Sequence, residues 1–501
     1  MKILRDLIEK THCLKIQGDL NTAVSDITAD SREVKKGSLF ICLCGAHVNG
    51  HDFAAKAAAQ GAVAIVAQEP IDVPDEIAVV YVEDTREAME DMAPFFFDYP
   101  SRKMRMIALT GTNGKTTTTH IAAHILHKAG NKVGVIGTIH ALIGDKEIPT
   151  HNTTPVVIDL QRLLSMMVDE HVTHVCMEVS SHSLVLRRVK GCEFDDAVFT
   201  NLTEDHLDFH KTMENYAKAK AMLFEMVSSE NQHKTGKSAW INIDDPYAHT
   251  MIEAVNTEVC PLHTYGMNDS SAELYAYDSK FTGKSSRFKV RYHENDYEVE
   301  TRLAGRFNIY NTLGAIGAAL NEGISMDDAI EAVKDFQSVP GRFELIDEGQ
   351  SFAVVVDYAH TPDGLEKILG TAREITEGKI IAVFGCGGDR DRMKRPIMGS
   401  IAAEHADISI VTSDNPRTED PEKIIEDVVV GVEKVKKNKP DLYYEVIADR
   451  RQAIKRAVSL AKDDDIVIIA GKGHEDYQIL KDRTIHFDDR EEARNALKEV
   501  K

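Results

Sequence analysis

The sequence lacks the features that mark membrane-spanning and secreted proteins. Across its 501 residues, no apolar run approaches the roughly 20 residues that a transmembrane helix requires. The amino terminus, MKILRDLIEK, interrupts its apolar residues with charges, so it has no hydrophobic core of a signal peptide. We therefore expect neither membrane insertion nor secretion.

Cysteine is also scarce, and positive charges are outnumbered by negative ones. The seven cysteines are an odd number and widely scattered, which is typical of reduced thiols in a cytoplasmic protein rather than of a disulfide framework. The formal net charge of -22 makes nucleic acid an unfavourable partner, because both would be negative. An anionic substrate must then be bound by local basic groups.

The composition is that of a globular protein, with 43% hydrophobic and 28% charged residues. There is no internal repeat and no low-complexity segment. The stretches FFFDYPSRK and SVPGRFE mark composition changes, so the chain is predicted to form three regions, 1–100, 101–336 and 337–501.

Strand-like and helical runs alternate in all three regions. The first contains GSLFICLCG, AVAIVAQ and IAVVYVED with the helical run DFAAKAAAQGA, and the second opens with the strand MRMIALTG. The third has three strands that end in polar loops, FAVVVDYAHTP, KIIAVFGCGGDRDR and DIVIIAGKGHE. This alternation predicts an α/β fold with parallel sheets covered on both faces. Ligands are then expected at the carboxyl ends of the strands.

The loop TGTNGKTTTTH departs from the usual phosphate-binding pattern. That pattern has a glycine five places before Gly114, where this chain has Leu109, and the leading glycine is instead Gly111. Two glycines still let the backbone approach phosphate, and the following helix offers free N–H groups. Lys115 can neutralise the β- and γ-phosphates, and Thr116 can ligate Mg²⁺. The alternative is an ordinary glycine-containing turn between strand and helix.

Three further residues suggest a metal site. Glu178 ends the strand VCMEVSS, His206 lies in TNLTEDHLDFH, and Lys220 lies in YAKAKAMLF. Mg²⁺ prefers oxygen ligands and tolerates one imidazole, so the first two residues suit it. Taken singly, each also has an ordinary interpretation as a strand end, a loop histidine or a surface charge.

The third region adds groups that can bind a zwitterion. In TSDNPRTEDP, Asp414 and Arg417 lie on a turn stiffened by Pro416. The arginine can pair with a carboxylate through two hydrogen bonds, and the acid can bind an ammonium. An Asx-type turn is the alternative for DNPR alone.

Two cysteines, Cys42 and Cys44, alternate along a predicted strand. We expect both to be buried as small apolar side chains.

Together these stretches resemble the Mur ligases of bacterial peptidoglycan synthesis along nearly the whole chain. The loop TGTNGKTTT is similar to that family's nucleotide loop, which folylpolyglutamate synthases share. The other matching motifs are NTTP, MEVSSH, TNLTEDHLDFH, YAKAKAMLF, GRFNIYN, VPGRFE, DYAHTPDGL, GCGGDRDRMKRP, DNPR and GKGHE. These motifs resemble the members that join an amino acid to UDP-N-acetylmuramoyl-L-alanyl-D-glutamate.

The resemblance implies three α/β domains. They are an N-terminal UDP-binding domain, a central P-loop-type ATPase domain with a parallel sheet, and a C-terminal Rossmann-like domain that binds the amino acid. It implies an ADP-forming ligase of cell-wall biosynthesis, acting through an acyl phosphate and serving cell shape and division. The implied ligands are ATP, two Mg²⁺ ions, the UDP-muramoyl dipeptide and meso-2,6-diaminopimelate. A cytoplasmic monomer is expected.

The resemblance also assigns residue roles. The catalytic residues are Lys115, Lys220, Glu178 and His206. ATP is assigned to Gly111, Thr112, Asn113, Gly114, Lys115, Thr116, Thr117, Asn308, Arg342 and Asp357. The UDP-muramoyl dipeptide is assigned to Ser31, Asn152, Thr153, Thr154, Ser180 and Arg188. Diaminopimelate is assigned to Arg390, Asp414, Asn415, Pro416, Arg417, Gly471 and Glu475. The metal is assigned to Thr116, Glu178, His206 and Lys220, the last as a carbamate (N6-carboxylysine).

Arg417 favours diaminopimelate over lysine in this comparison, because a buried arginine without a carboxylate partner would penalise lysine. Asn49 and Leu186 depart from the pattern, which weakens the peripheral substrate contacts. Three alternatives remain open: the same ligase using L-lysine, a ligase like folylpolyglutamate synthase, and a non-catalytic nucleotide-binding regulator.

Overall fold

The computed structural model describes residues 1–45, 48–144, 146–150, 152–282 and 285–500. The chain forms two compact units. The first comprises Met1–Tyr265 with Gly314–Met326, and the second comprises Gly266–Leu313 with Asp327–Lys501. The domain boundaries expected after residues 100 and 336 stay a prediction. Among the described residues, none of the helices combines the length and apolar character that a membrane span requires.

The first unit begins with a small α/β layer. Its elements are β1 Lys2–Ile3, α1 Leu4–Ile8, β2 Cys13–Gln17, β3 Ala23–Val24, β4 Asp26–Thr28, β5 Ser38–Ile41, a 3₁₀ helix Gly50–Phe53, α2 Ala54–Ala59, β6 Ala62–Ala67, β7 Ala78–Val82, α3 Thr85–Phe96 and a 3₁₀ helix Pro100–Lys103. The sheet order is β2-β7-β6-β5-β4, with only β2 antiparallel to its neighbour. The middle strand, AVAIVA, is apolar at every position because both faces of a parallel sheet are covered.

The expectation for the two cysteines near β5 is half wrong. Cys42 is buried, but Cys44 is exposed. Strand β5 ends at Ile41, so the alternation of buried and exposed positions no longer applies at Cys44. Cys44 instead forms an isolated bridge with Asn49.

The same unit continues with a larger sheet that carries the phosphate loop. Its elements are β8 Arg105–Thr110, α4 Lys115–Lys128, β9 Val133–Ile136, β10 Ala141–Ile143, β11 Lys146–Ile148, α5 Val157–Asp169, β12 His174–Glu178, α6 Ser181–Val185, β13 Asp196–Phe199, α7 Leu207–His210, α8 Met213–Val227, β14 Ser238–Asn242, α9 Ala248–Glu253 and β15 Leu262–Gly266.

The predicted parallel sheet is confirmed. The strand order is β11-β10-β9-β12-β8-β13-β14-β15, in which the six strands from β9 to β15 are parallel. Strand β8 therefore lies between β12 and β13, and the loops after these three strands meet at one edge. Helix α4 packs its apolar side chains, including Ile121, Ile125 and Leu126, into the core.

The second unit opens with three antiparallel strands that the sequence analysis did not predict, β16 Leu274–Thr282, β17 Ser285–Tyr292 and β18 Asn295–Thr301. Burial alternates along β17, which is typical of a sheet with one solvated face. Helix α10 Arg306–Asn321 follows, with its residues up to Leu313 in this unit and those from Gly314 in the first, and then helix α11 Met326–Asp335.

The rest of the second unit is a six-stranded α/β layer. Its elements are β19 Glu344–Leu345, β20 Ala353–Asp357, α12 Pro362–Ile375, β21 Ile380–Phe384, α13 Lys394–His405, β22 Ile408–Val411, α14 Pro421–Lys436, β23 Tyr443–Val446, α15 Arg450–Leu460, β24 Ile466–Ala470, β25 Tyr477–Ile479, β26 Thr484–His486 and α16 Asp489–Val500. The sheet order is β19-β20-β24-β21-β22-β23, and all but β19 are parallel. The three predicted strand-then-loop units are thus neighbours, and their loops leave the same edge.

Candidate active site

The two glycines of the phosphate loop are both required by the backbone. At Gly111, φ is +152°, and a Cβ there would lie 1.8 Å from Thr200 Oγ1. Gly114 has φ +84° at the N-cap of α4, a left-handed conformation that favours glycine. Thr200 Oγ1 also donates to Asn113 O at 2.6 Å. The loop after β13 therefore packs against the phosphate loop and hydrogen-bonds to it. The turn forms even though its two glycines are closer in sequence than in the usual phosphate-binding pattern.

Two lysines converge on the carbonyl oxygen of Gly111. Lys115 Nζ donates to it at 2.8 Å and Lys220 Nζ at 2.7 Å. Lys220 is only 1% exposed. Burial, and then the charge of Lys115, hold the pKa of the Lys220 amine well below its usual value. The structure thus places both predicted lysines at the start of the loop.

The Glu178 carboxylate, 1% exposed at the end of β12, faces a cluster of hydroxyl groups. Its Oε2 accepts hydrogen bonds from Thr116 Oγ1 and Thr138 Oγ1, each at 3.0 Å, and its Oε1 accepts one from Thr138 N at 2.9 Å. A carboxylate and hydroxyls that converge in this way are the hard oxygen donors that suit Mg²⁺. Thr138 was not predicted; no motif in the sequence points to it.

His206 is placed near Lys220 through a shared aromatic neighbour. Its backbone is left-handed, with φ +53°, and its side chain is about half exposed. The His206 ring lies 6.2 Å from the Tyr216 ring, and Lys220 Nζ lies 4.4 Å from the centre of that same ring. Tyr216 Oη is 3.2 Å from Thr112 Oγ1, which links this aromatic residue to the phosphate loop.

Four of the residues predicted to bind the UDP-muramoyl dipeptide form one hydrogen-bonded group. Thr154 Oγ1 donates to Glu178 O at 2.9 Å and accepts from Ser180 N at 3.1 Å. Arg188 Nη1 donates to Thr154 O at 3.1 Å. Thr153 Oγ1 lies 3.1 Å from Thr138 Oγ1. These residues therefore adjoin the carboxylate expected to hold the metal.

The other two predicted dipeptide-binding residues stand apart from that group. Asn152 directly precedes Thr153 in the sequence, and its side chain is exposed. Ser31 is half-buried in a turn after β4.

In the second unit, Asp357 ends β20 and accepts from two backbone N–H groups, Phe343 at 2.7 Å and Ala359 at 2.8 Å. Burial raises the pKa of the Asp357 carboxyl, and the charge of Arg342 opposes this rise. Asn308 is buried in α10, and its Nδ2 donates to Ala304 O at 2.8 Å.

The DNPR loop holds its arginine against a glycine. Arg417 has φ +53°, and its Nη1 donates to Gly388 O at 3.0 Å. A Cβ at Gly387 would lie 2.8 Å from Arg417 Nη1 and 3.8 Å from Arg390 Cγ. Arg390 is exposed. The structure therefore brings the two arginines predicted to bind diaminopimelate to the same glycine.

The DNPR and GKGHE loops are joined by side chains. Asn415 Nδ2 donates to Glu475 Oε2 at 2.9 Å, and Gln478 Nε2 donates to Asp414 O at 2.6 Å. Gly471 has φ +126°, and a Cβ there would lie 3.1 Å from Asp414 Oδ2. Four of the residues predicted to bind the amino acid, Asp414, Asn415, Gly471 and Glu475, thus lie together.

Three family models of Mur ligase domains match the chain. The Mur ligase middle domain matches residues 109–319, the Mur ligase glutamate ligase domain matches 341–473, and the Mur ligase family catalytic domain matches 23–97. The chain belongs to the Mur ligase family. This confirms the predicted family, its three-domain α/β fold and its enzyme class, that of ATP-dependent amide-forming ligases.

Two relatives cover almost the whole chain. The UDP-N-acetylmuramoyl-L-alanyl-D-glutamate–2,6-diaminopimelate ligase of Bacillus cereus is 46% identical over 494 residues, covering 99% of this chain and 98% of the relative. Ligase 1 of the same name from Clostridium acetobutylicum is 46% identical over 503 residues, covering 100% and 99%.

Solved Mur ligase structures share the fold. A UDP-N-acetylmuramoyl-L-alanyl-D-glutamate–2,6-diaminopimelate ligase has a TM-score of 0.72 at 34% identity, with 99% of both chains covered. The MurF ligase of Thermotoga maritima, solved in complex with ADP, has a TM-score of 0.61 at 17% identity, covering 96% of this chain and 97% of its own. At that identity the likeness concerns the fold alone.

Proposed function

We propose that this chain adds meso-2,6-diaminopimelate to UDP-N-acetylmuramoyl-L-alanyl-D-glutamate, with ATP, to give the UDP-muramoyl tripeptide of peptidoglycan. The observation that carries the proposal is Arg417, held over Gly387 beside Arg390. The Arg417 guanidinium can pair with a carboxylate that diaminopimelate has and lysine lacks. The full-length identity to the two diaminopimelate ligases supports the same choice.

The first step activates the substrate carboxylate. The D-glutamate side-chain carboxylate attacks the γ-phosphorus of ATP, the bond to the β-phosphate oxygen breaks, and an acyl phosphate and ADP result. Lys115, the first residue of α4, neutralises the phosphates with an ammonium group that lies beside the Gly111 carbonyl. Two Mg²⁺ ions, held by Thr116, Glu178, His206 and modified Lys220, would neutralise the remaining charge.

Lys220 is suited to modification as a carbamate. Its amine and that of Lys115 both lie within 2.8 Å of the same carbonyl oxygen, and two cations so close would repel each other. Addition of carbon dioxide to the Lys220 amine forms an N–C bond and releases a proton. The product is an anion with two oxygen ligands, so the repulsion becomes attraction.

The second step forms the amide. A neutral amine of diaminopimelate attacks the acyl carbon, phosphate leaves, and the nitrogen loses a proton. Asp414 and Glu475 bind the remaining ammonium, and Arg417 with Arg390 binds the distal carboxylate.

The remaining assignments complete the substrate sites. Asn415, Pro416 and Gly471 shape the amino-acid site. Ser31, Asn152, Thr153, Thr154, Ser180 and Arg188 bind the UDP-muramoyl dipeptide. Thr112, Asn113, Thr117, Asn308, Arg342 and Asp357 contact ATP. The enzyme acts as a monomer.

A competition assay tests the proposal. The purified protein receives ATP, Mg²⁺ and the UDP-dipeptide with equal concentrations of diaminopimelate and lysine, and the tripeptide product is identified by mass. We expect the diaminopimelate product, and ATP turnover that requires both the dipeptide and the amino acid. A lysine product would overturn the choice of amino acid. Turnover that is independent of the dipeptide would overturn the reaction.

A further inference from the structure

Lys472 is a fully buried lysine beneath the residues assigned to the amino acid. It follows Gly471 after β24 and is 0% exposed. Its Nζ lies 3.3 Å from Glu475 Oε2, 3.4 Å from Asn415 Oδ1 and 3.9 Å from Asp414 Oδ1. A buried ammonium is unfavourable unless it is paired. These three polar partners all belong to the proposed amino-acid site, and the Tyr477 ring lies 5.4 Å from the same Nζ.

These contacts connect two loops that leave different strands. Asp414 and Asn415 follow β22, whereas Glu475 follows β24, and β21 lies between those strands in the sheet. Glu475 Oε2 is held from two directions, by Lys472 Nζ and by Asn415 Nδ2. A carboxylate held by two donors keeps one orientation. A substrate ammonium can then bind to it without first having to reorient it.

Lys472 also sets the local charge. Asp414, Glu475 and Lys472 together carry one net negative charge, which matches a single substrate ammonium. Another buried cation nearby, Arg450, is already paired with Asp489 at 2.6 Å, with both side chains 0% exposed. Without Lys472, the three positions would carry two negative charges.

The charge of this group bears on the choice of substrate. Diaminopimelate has two carboxylates and two amines and is neutral overall, whereas lysine has one carboxylate and two amines and is a cation. A more negative site would favour the cation.

We propose that Lys472 is a positioning and specificity residue: it orients Glu475 and Asn415 toward the substrate ammonium and disfavours the cationic substrate lysine. This inference rests on the proposed function. Lys472 acts through Glu475 and Asn415 and takes no part in bond formation.

Lys472→Met tests the proposal, because methionine keeps most of the buried stem and removes the charge. We expect the KM for diaminopimelate to rise about tenfold and the preference for diaminopimelate over lysine to fall about tenfold, with the KM for ATP unchanged. The matched control is Lys455→Met, which removes a surface lysine paired with Glu499, and it should leave all three values unchanged.

A second variant separates orientation from charge. Lys472→Gln keeps a hydrogen-bond donor but no charge. The KM for diaminopimelate should therefore rise less than in Lys472→Met, while the preference over lysine falls as far. This variant also replaces Lys472→Met if that protein does not fold.

A double-mutant cycle identifies the path. Because Lys472 acts partly through Glu475, Lys472→Met combined with Glu475→Gln should raise the KM for diaminopimelate by less than the product of the two single effects. Additive effects, or a lower thermal stability with unchanged KM and preference, would overturn the inference. Wild-type protein without diaminopimelate-dependent turnover would overturn the proposed function instead.

Discussion

Around Gly111, two lysines bond to one backbone carbonyl, whereas Lys472 beside Asp414 bonds to side chains. Lys115 and Lys220 both donate to the Gly111 carbonyl. Lys472, by contrast, contacts the side chains of Asp414 and Glu475. A site shaped by backbone suits a ligand part that does not vary, such as a phosphate. A site shaped by side chains can be changed one residue at a time, which suits the amino acid.

Among the substitutions that test this comparison, the largest loss of activity is expected at Lys220. Lys220→Ala should lower ligation about 1000-fold, because it removes both the bond to Gly111 and the proposed carbamate. Added formate or acetate should partly restore turnover by supplying an anion to the cavity. Turnover is measured as phosphate release that depends on dipeptide and diaminopimelate.

The control is Lys218→Ala, an exposed lysine on the same helix, which should keep full activity. Full activity in Lys220→Ala itself would exclude the carbamate.

The glycines of the loop give the next largest effect. Gly111→Ala places a Cβ 1.8 Å from Thr200 Oγ1, so the backbone must move. We expect turnover to fall about 100-fold, because small displacements at a reacting centre slow the reaction strongly. The affinity for ATP, measured by calorimetry, should fall as well. Gly130→Ala is the matched control: φ is +89° there, but nothing lies within 4 Å of the added Cβ. It should lower stability by about 1 kcal/mol and leave turnover intact. Equal turnover in both variants would contradict the backbone account.

This difference explains how much of each site could be predicted from the sequence. Gly111 and Gly114 are recognisable because their backbone conformations restrict those positions to glycine within four residues of each other. Thr138 could not be recognised, since it lies in the loop after β9 and contacts Glu178, 40 residues away at the end of β12. Lys472 was visible in GKGHE, but its burial between two loops depends on the order of strands in the sheet.

The fold shows the same limit. The parallel strands were predictable because they are continuous apolar runs between helices. The antiparallel strands β16 to β18 have one solvated face and many polar residues, so their sequence resembles a loop. Cys44 was placed wrongly because the end of β5 has no local signal in the sequence.

A moderate effect is expected at Arg417. Arg417→Ala should lower the preference for diaminopimelate over lysine about tenfold, because it removes the proposed charged partner of the distal carboxylate. Gly387→Ala should reproduce part of this loss, since its Cβ would lie 2.8 Å from Arg417 Nη1. The competition assay measures both. An unchanged ratio of diaminopimelate product to lysine product in Arg417→Ala would show that Arg417 does not select the substrate.

The smallest effect concerns how the melting temperature depends on acid pH. This dependence tests whether charged side chains stabilise the region next to the DNPR loop. Glu419 accepts from Arg395 Nη2 at 2.8 Å and from Asp389 N at 2.6 Å, next to the DNPR loop. The bond with Arg395 is the main reason that the pKa of the Glu419 carboxyl is lowered to about 2.

Because the folded-state pKa lies below the unfolded value, the stabilisation by Glu419 is present above the unfolded pKa of about 4.5 and is lost as pH falls toward 2. Glu419→Gln should therefore have a lower melting temperature than wild type at pH 7, and the gap should close between pH 4.5 and 2. Thermal unfolding followed by circular dichroism measures it. A gap of constant size across that range would mean that Glu419 contributes through packing rather than through its charge.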